Sequence, residues 1–190
     1  MKNKIFPELE QGRPGWDKPH TECVVSYVKK IVRNAPHLKL DLDSLIIVGY
    51  SHDWGYAKLF KNGLYVGGKE IQKVKSLHAQ ISAKKISSLL KNSIFDFLKP
   101  EQKERIRHLV LNHDNLEKLI HNDELVFMEA DTLGQLDINR VVPTFNKTDG
   151  EKYMEKVEQT RIPKFITQFS KKRAEKLLKL RKEYHKIPPR

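Results

Sequence analysis

Four histidines and two aspartates in this chain have the residue types and the surroundings to bind a metal: His20, the adjacent pair His52-Asp53, His78, His113 and Asp131. They fall at the ends or on the inner faces of five successive helix-patterned segments. His52-Asp53 follows the apolar run Leu45, Ile46, Ile47 and Val48, His113 follows Leu109, Val110 and Leu111, His78 follows Leu77, and Asp131 follows Val126, Phe127, Met128 and Ala130. A carboxylate in such company costs several kcal/mol unless a cation or strong hydrogen bonds meet it. Imidazoles and carboxylates converging from several helices are what a metal site in a bundle core needs. That donor set suits a divalent ion such as Mn, Fe, Co, Ni or Zn better than Mg alone. Cys23 is the single cysteine, so zinc held by cysteines is excluded.

The elements that must position these residues read as helices, and the periodicity predicts an all-α fold. Thr21 to Val32 sets Val24, Val25, Val28 and Ile31 on one face, giving a first helix that ends before Pro36. Asp41 or Asp43 offers a cap for a second helix that ends near Gly55. Residues 60–75, with Gly63, Gly67 and Gly68 among lysines, read as a loop or lid, after which Ser76 is expected to cap a helix carrying Ile81, Ile86, Leu89 and Leu90. Pro100 suits the first turn of the next helix, and Asn122 or Asp123 opens another, from Glu124 to about Leu136. Pro163 should interrupt the C-terminal helical stretch, leaving a basic helix from about Lys164 to Tyr184. The ends, roughly 1–14 and 186–190, are expected to be loose.

A chain of 190 residues can bury a core without disulfides, so a metal would be there for chemistry. Cys23, among valines, reads as a small buried hydrophobe suited to a reducing cytoplasm. The charged N-terminal stretch has no apolar run of the secretory kind, no segment has the length of a membrane span, and a cytoplasmic protein without a membrane partner is expected. The net charge of +12 is uneven: residues 151–190 hold 13 basic against 5 acidic side chains, and residues 58–91 hold 8 against 1. Such blocks attract phosphate-bearing molecules or polyanions.

The order and spacing of the candidate ligands resembles the HD superfamily, over about residues 13–136. The matching strings are KPHTECVV, LIIVGYSHDWGY, SLHAQISA, RHLVLNHD and FMEADTLG. The resemblance implies an HD-domain helical bundle over 1–190, with the basic helices of 150–185 packed on its core. It further implies that His20, His52, Asp53 and Asp131 hold one metal, and that His78 and His113 add a second, with Asp53 bridging. The string HDWGY departs from a frequent HDIGK form; Lys58 is the candidate for the phosphate-binding role that the missing basic residue would have. Asp114, which makes a second His-Asp pair, is a candidate to orient water or pass a proton, with simple solvation as the alternative. His108 is the rival of His113 but less apolar in setting, while His37, His121 and His185 read as solvent-facing. Lys69, Lys73 and Lys75 could grip phosphate or only solubilise the loop, and Trp16 could line the site entrance or simply fill the core.

The activity implied is metal-dependent hydrolysis of a phosphomonoester or nucleotide by metal-activated hydroxide, with Asp53, Lys58 and Asp114 in the reacting machinery. The partner is then a small phosphorylated substrate. Two alternatives stand beside it: a di-iron oxygenase of the same superfamily, and a nucleic-acid binder using the run KKRAEKLLKLRK in the basic tail.

Overall fold

The computed structural model describes residues 1–13, 15–60 and 68–186, and among these the chain forms helices and no strand. The helices are α1 (Lys2–Leu9), α2 (Asp17–Asn34), α3 (Leu42–Ser51), the single turn α4 (Tyr56–Leu59), α5 (Gly68–Leu89), α6 (Pro100–Asn112), α7 (Asn122–Leu136), α8 (Lys147–Lys156) and α9 (Gln168–Lys186). The all-α expectation is met. α2 packs against both α3 and α7, α6 bridges α3 and α5, and α9 lies on α7 and α8. The core is built from the faces the periodicity marks: Val24, Val28 and Ile31 of α2, Leu45 and Val48 of α3, Ile106 and Val110 of α6, Val126, Phe127 and Leu133 of α7. No described helix is long and apolar enough to cross a membrane.

Local signals fix several helix starts. The Asp41 carboxylate accepts from the Ser44 backbone N–H at 3.1 Å, and Pro100 occupies the first turn of α6. At the head of α7, Glu124 accepts from the backbone of His121 and Ile120 at 2.9 and 2.8 Å. The π-helical turn Val157–Arg161 and the 3-10 turn Ile162–Lys164 stand where Pro163 forbids a continuous helix, so α9 begins later than the pattern suggests. Buried Glu129 of α7 then seats α9, accepting from the Thr167 backbone N–H at 2.9 Å and its hydroxyl at 2.5 Å.

Three expectations are corrected. The first residues are not loose: α1 buries Ile5 and Leu9 completely in a small cluster with Trp54 and Ala57, a long-range contact that a count of its charges does not reveal. α5 already begins at Gly68, so Lys69, Lys73 and Lys75 are helical and Ser76 is interior rather than a cap. Lysine and glutamine are good helix formers, and they carry the helix through a stretch whose glycines suggest a loop. The rest of the proposed lid, with Gly63 and Gly67, lies outside the described residues. His185 is buried, its ring filling the space beside Gly150, where an added Cβ would stand 2.2 Å from the imidazole.

Candidate metal centre

His20 comes from α2, His52 and Asp53 from the end of α3 and the turn after it, His78 from α5, His113 from the end of α6 and Asp131 from α7; all six are buried. Their donor atoms form two groups, His20 with His52 and Asp131, and Asp53 with His78 and His113. Within each group the atoms lie within 4.8 Å of one another. His20 Nε2 stands 3.1 Å from Asp131 Oδ1 and 3.3 Å from His52 Nε2, and in the other group His78 and His113 bring their Nε2 atoms to 3.4 Å. Asp53 spans the two. Its Oδ2 is 3.7 Å from His20 Nε2 and 3.6 Å from His52 Nε2, while its Oδ1 is 3.3 Å from His78 Nε2 and 3.6 Å from His113 Nε2. Four imidazole nitrogens all aimed at each other and at carboxylates fit divalent cations, which would use lone pairs that these side chains cannot satisfy among themselves.

Each group holds its two imidazoles by the same two devices. His52 and His113 are both helix C-caps, where carbonyls of the last turn lack helical partners. Their Nδ1 atoms lie 2.9 Å from the Gly49 carbonyl and 2.8 Å from that of Val110, which leaves Nε2 facing inward. His20 and His78 have no hydrogen-bond partner at Nδ1 and are held by stacking instead, His20 on Trp16 with ring centroids 5.6 Å apart and His78 on Tyr56 at 3.9 Å. Tyr56, a residue that departs from the frequent HDIGK string, thus has a physical task. Close approach of the turn to α5 also demands Gly55: a Cβ there would be 2.1 Å from the His78 carbonyl oxygen. The Gly55 N–H donates to Ser82 Oγ at 2.7 Å, which pins the two segments together.

Two arginines that sequence reasoning missed surround the centre. Arg161, carried inward by the π-helical turn, donates to Asp131 Oδ2 and to Thr132 Oγ1, both at 2.7 Å, and reaches Asp114 Oδ1 at 3.4 Å. Arg13 forks onto Asp17 at 2.8 and 2.5 Å, lies over the Tyr56 ring at 4.4 Å and comes within 3.9 Å of Asp53 Oδ2. Neither has a local signal; the one available hint was that buried carboxylates need a cation. Gln135 also donates to both oxygens of Asp131, at 2.9 and 3.0 Å.

Asp114 sits beside the second group, its Oδ2 3.8 Å from the Nε2 atoms of both His78 and His113 and its Oδ1 3.3 Å from Lys75 Nζ. His108 stands apart, paired with Glu124 at 3.1 Å. Lys58 is exposed and lines a separate groove with Lys4, Glu8 and Trp54. The centre opens instead into a cavity of about 390 Å³, lined by Asp53, His113 and Asp114, by the cations Arg13, Lys69, Lys75, Lys152, Lys156 and Arg161, and by Trp16, Tyr56, Phe145 and Tyr153. Lys73 is not among the residues lining it.

The electrostatics differ between the two groups. Burial pushes the His52 imidazole down to about 4, against the pull of Asp53 and Asp131, so it is neutral and ready to ligate at neutral pH. Burial also acts to lower His113, but Asp114, Asp53 and Asp131 outweigh it and push the imidazole up to about 9. Burial opposes ionisation of Asp53 as well, yet His52, His113 and His78 hold its carboxyl well below the usual range. Asp131 is likewise held low, Arg161 and His20 overcoming burial. The raised pKa of His113 stabilises the metal-free protein fully below about pH 6.5, and that contribution is lost as pH rises through about 9. Metal binding at the second group must therefore expel a proton from His113 at neutral pH. Calorimetry in buffers of different ionisation enthalpy is expected to read about one proton released at pH 7.5 for the ion that enters the second group, falling toward zero above about pH 10. Release that stays constant across this range would contradict the assignment.

Compared with protein-family models, curated proteins and solved structures, the chain matches none of them.

Proposed function

We propose that this chain is a metal-dependent phosphohydrolase of HD type, acting on a phosphomonoester or nucleotide. One observation carries the reading: Asp53 turns one oxygen toward each of two histidine groups, at the floor of a cavity whose other charged walls are mostly cationic. When bound, divalent ions at these groups would supply a water acidic enough to be hydroxide near neutral pH and Lewis-acid sites for phosphoryl oxygens. His20, His52 and Asp131 would hold one ion, His78 and His113 the other, with Asp53 shared.

The protein's own part is binding, orientation and proton handling. Arg13 and Arg161 flank the centre and suit the equatorial oxygens of a phosphoryl group, whose charge builds as the ester P–O bond breaks and a water oxygen joins phosphorus. They are better situated for this than Lys58. Asp114 Oδ2, beside His78 and His113 and held ionised by His113, Lys75 and Arg161 against burial, is suited to accept a proton from the attacking water. The HD resemblance, drawn from the order of the same residues, favours the same chemistry.

The same donor set fits a di-iron oxygenase, and the cationic cavity is what tips the balance toward an anionic substrate and hydrolysis. The test is turnover of a panel of phosphorylated metabolites by chelator-treated protein before and after Mn, Co or Fe is returned, with dissolved oxygen recorded. Phosphate release that appears only with metal and consumes no oxygen is expected. Oxygen uptake without phosphate release would make the oxygenase correct. Metal-free protein as purified, with steeply salt-dependent binding to RNA or DNA, would favour the nucleic-acid reading.

A further inference from the structure

Arg181 of α9 is wholly buried, and none of its three guanidinium nitrogens has a hydrogen-bond partner. No carboxylate pairs with it among the described residues. An isolated buried guanidinium is one of the costliest arrangements a core can hold, since its donors lose water and gain nothing. Burial accordingly pushes its pKa down to about 10, which still leaves it charged at neutral pH. Its surroundings are aromatic: the guanidinium carbon lies 6.0 Å from the centre of the Trp16 ring, and Tyr153 and Tyr184 are its electrostatic neighbours. The Tyr153 hydroxyl is itself buried and without a partner. Trp16 and Tyr153 both line the cavity over the metal centre, so the unpaired cation stands directly behind that cavity's wall.

We propose that Arg181 and Tyr153 form an oxyanion subsite beside this cavity, behind the wall that Trp16 and Tyr153 make, distinct from the six metal-binding side chains and reached past those two rings. Five guanidinium N–H groups and a phenol O–H present donors only, the complement of a phosphate or carboxylate. The occupant is either a second anionic group of the substrate or a separately bound small oxyanion, and both use the same chemistry. Assignment to the substrate rests on the hydrolase reading, whereas the subsite itself does not. It also gives the C-terminal helices, which lie outside the HD-like stretch, a share in recognition.

The subsite is tested on metal-free protein by thermal melting in inorganic phosphate against chloride at equal ionic strength. Phosphate at a hundredfold excess over its dissociation constant is expected to raise the melting temperature by about 5 °C or more. Arg181→Met should remove the larger part of this rise, leaving what the cations of the cavity bind, and melt no lower than the native chain in chloride, because it removes an unpaired charge. Tyr153→Phe keeps the fold and should lose part of the rise, and Arg181→Lys should keep part. A full phosphate response in Arg181→Met overturns the proposal, as does a native chain that responds to phosphate no more than to chloride. With metal restored, Arg181→Met is expected to raise KM about 10- to 100-fold for compounds carrying a second phosphate, and to spare p-nitrophenyl phosphate, if the substrate is the source. Equal indifference to both compounds assigns the subsite to a free oxyanion. Because melting is read without turnover, failure of the hydrolase reading leaves the subsite test intact.

Discussion

Replacing Asp53 with alanine is expected to strip metal from both ligand groups at once and to abolish turnover with it. The reason is geometric: among the described residues Asp53 is the one carboxylate whose two oxygens face different groups, at 3.6 Å from His52 Nε2 and 3.3 Å from His78 Nε2. Asp131→Ala, by contrast, should empty the group of His20 and His52 and leave His78 and His113 able to retain an ion. If the metals supply several kcal/mol of charge stabilisation, at about 1.4 kcal/mol per decade of rate, Asp53→Ala should lower phosphate release about 10³-fold or more. Elemental analysis of the purified variants, read beside the rates, checks both halves of the expectation. Lys58→Ala is the control, because the side chain faces the outer groove, and its rate should stay within about twofold of the native chain. Retention of both metal and activity by Asp53→Ala would leave the shared-carboxylate arrangement without a role.

The second large effect concerns Arg161. Its replacement by methionine leaves Asp131 Oδ2 and Thr132 Oγ1 without the donor each has at 2.7 Å, and removes a cation near Asp114. Stranding a buried carboxylate in this way costs about 3–5 kcal/mol, which for a chain of this length is a fall of about 10 °C in melting temperature. The loss should be greatest in metal-free protein, because a bound divalent ion supplies positive charge beside Asp131 that Arg161 and, less strongly, His20 otherwise provide. Melts of Arg161→Met with chelator and with Mn therefore should differ more than those of the native chain. Asp131 is held below the usual carboxylate range, so its pairing with Arg161 stabilises the native chain above about pH 4 and fades as pH falls through the lowered value. Arg161→Lys should recover part of the stability but not the fork geometry. An equal loss with and without metal would make Arg161 a purely architectural residue.

Much of this arrangement is legible in residue order alone, for a local reason. Helical faces are set by a spacing of three and four residues, so Val24 and Val28, or Leu109 and Val110 ahead of His113, declare which way their segments must turn. A histidine closing such a run is thereby committed to the core before any contact is known. Those rules mark His20, His52, His78, His113 and Asp131, and they place Asp53 at the end of a buried helix.

What they leave open was decided by tertiary packing. His20 and Asp131 meet across 111 residues because α2 lies along α7, and Arg161 reaches Asp131 because a π-helical turn redirects the chain ahead of Pro163. The division of six candidate ligands into two groups, the stacking of His20 on Trp16 and of His78 on Tyr56, the place of Lys58 in an outer groove and the burial of Arg181 all depend on which helices touch. Periodicity along the chain carries the direction of each side chain relative to its own helix. It carries nothing about a partner from a distant segment, because contact energies are realised only once the backbone has brought the two segments together.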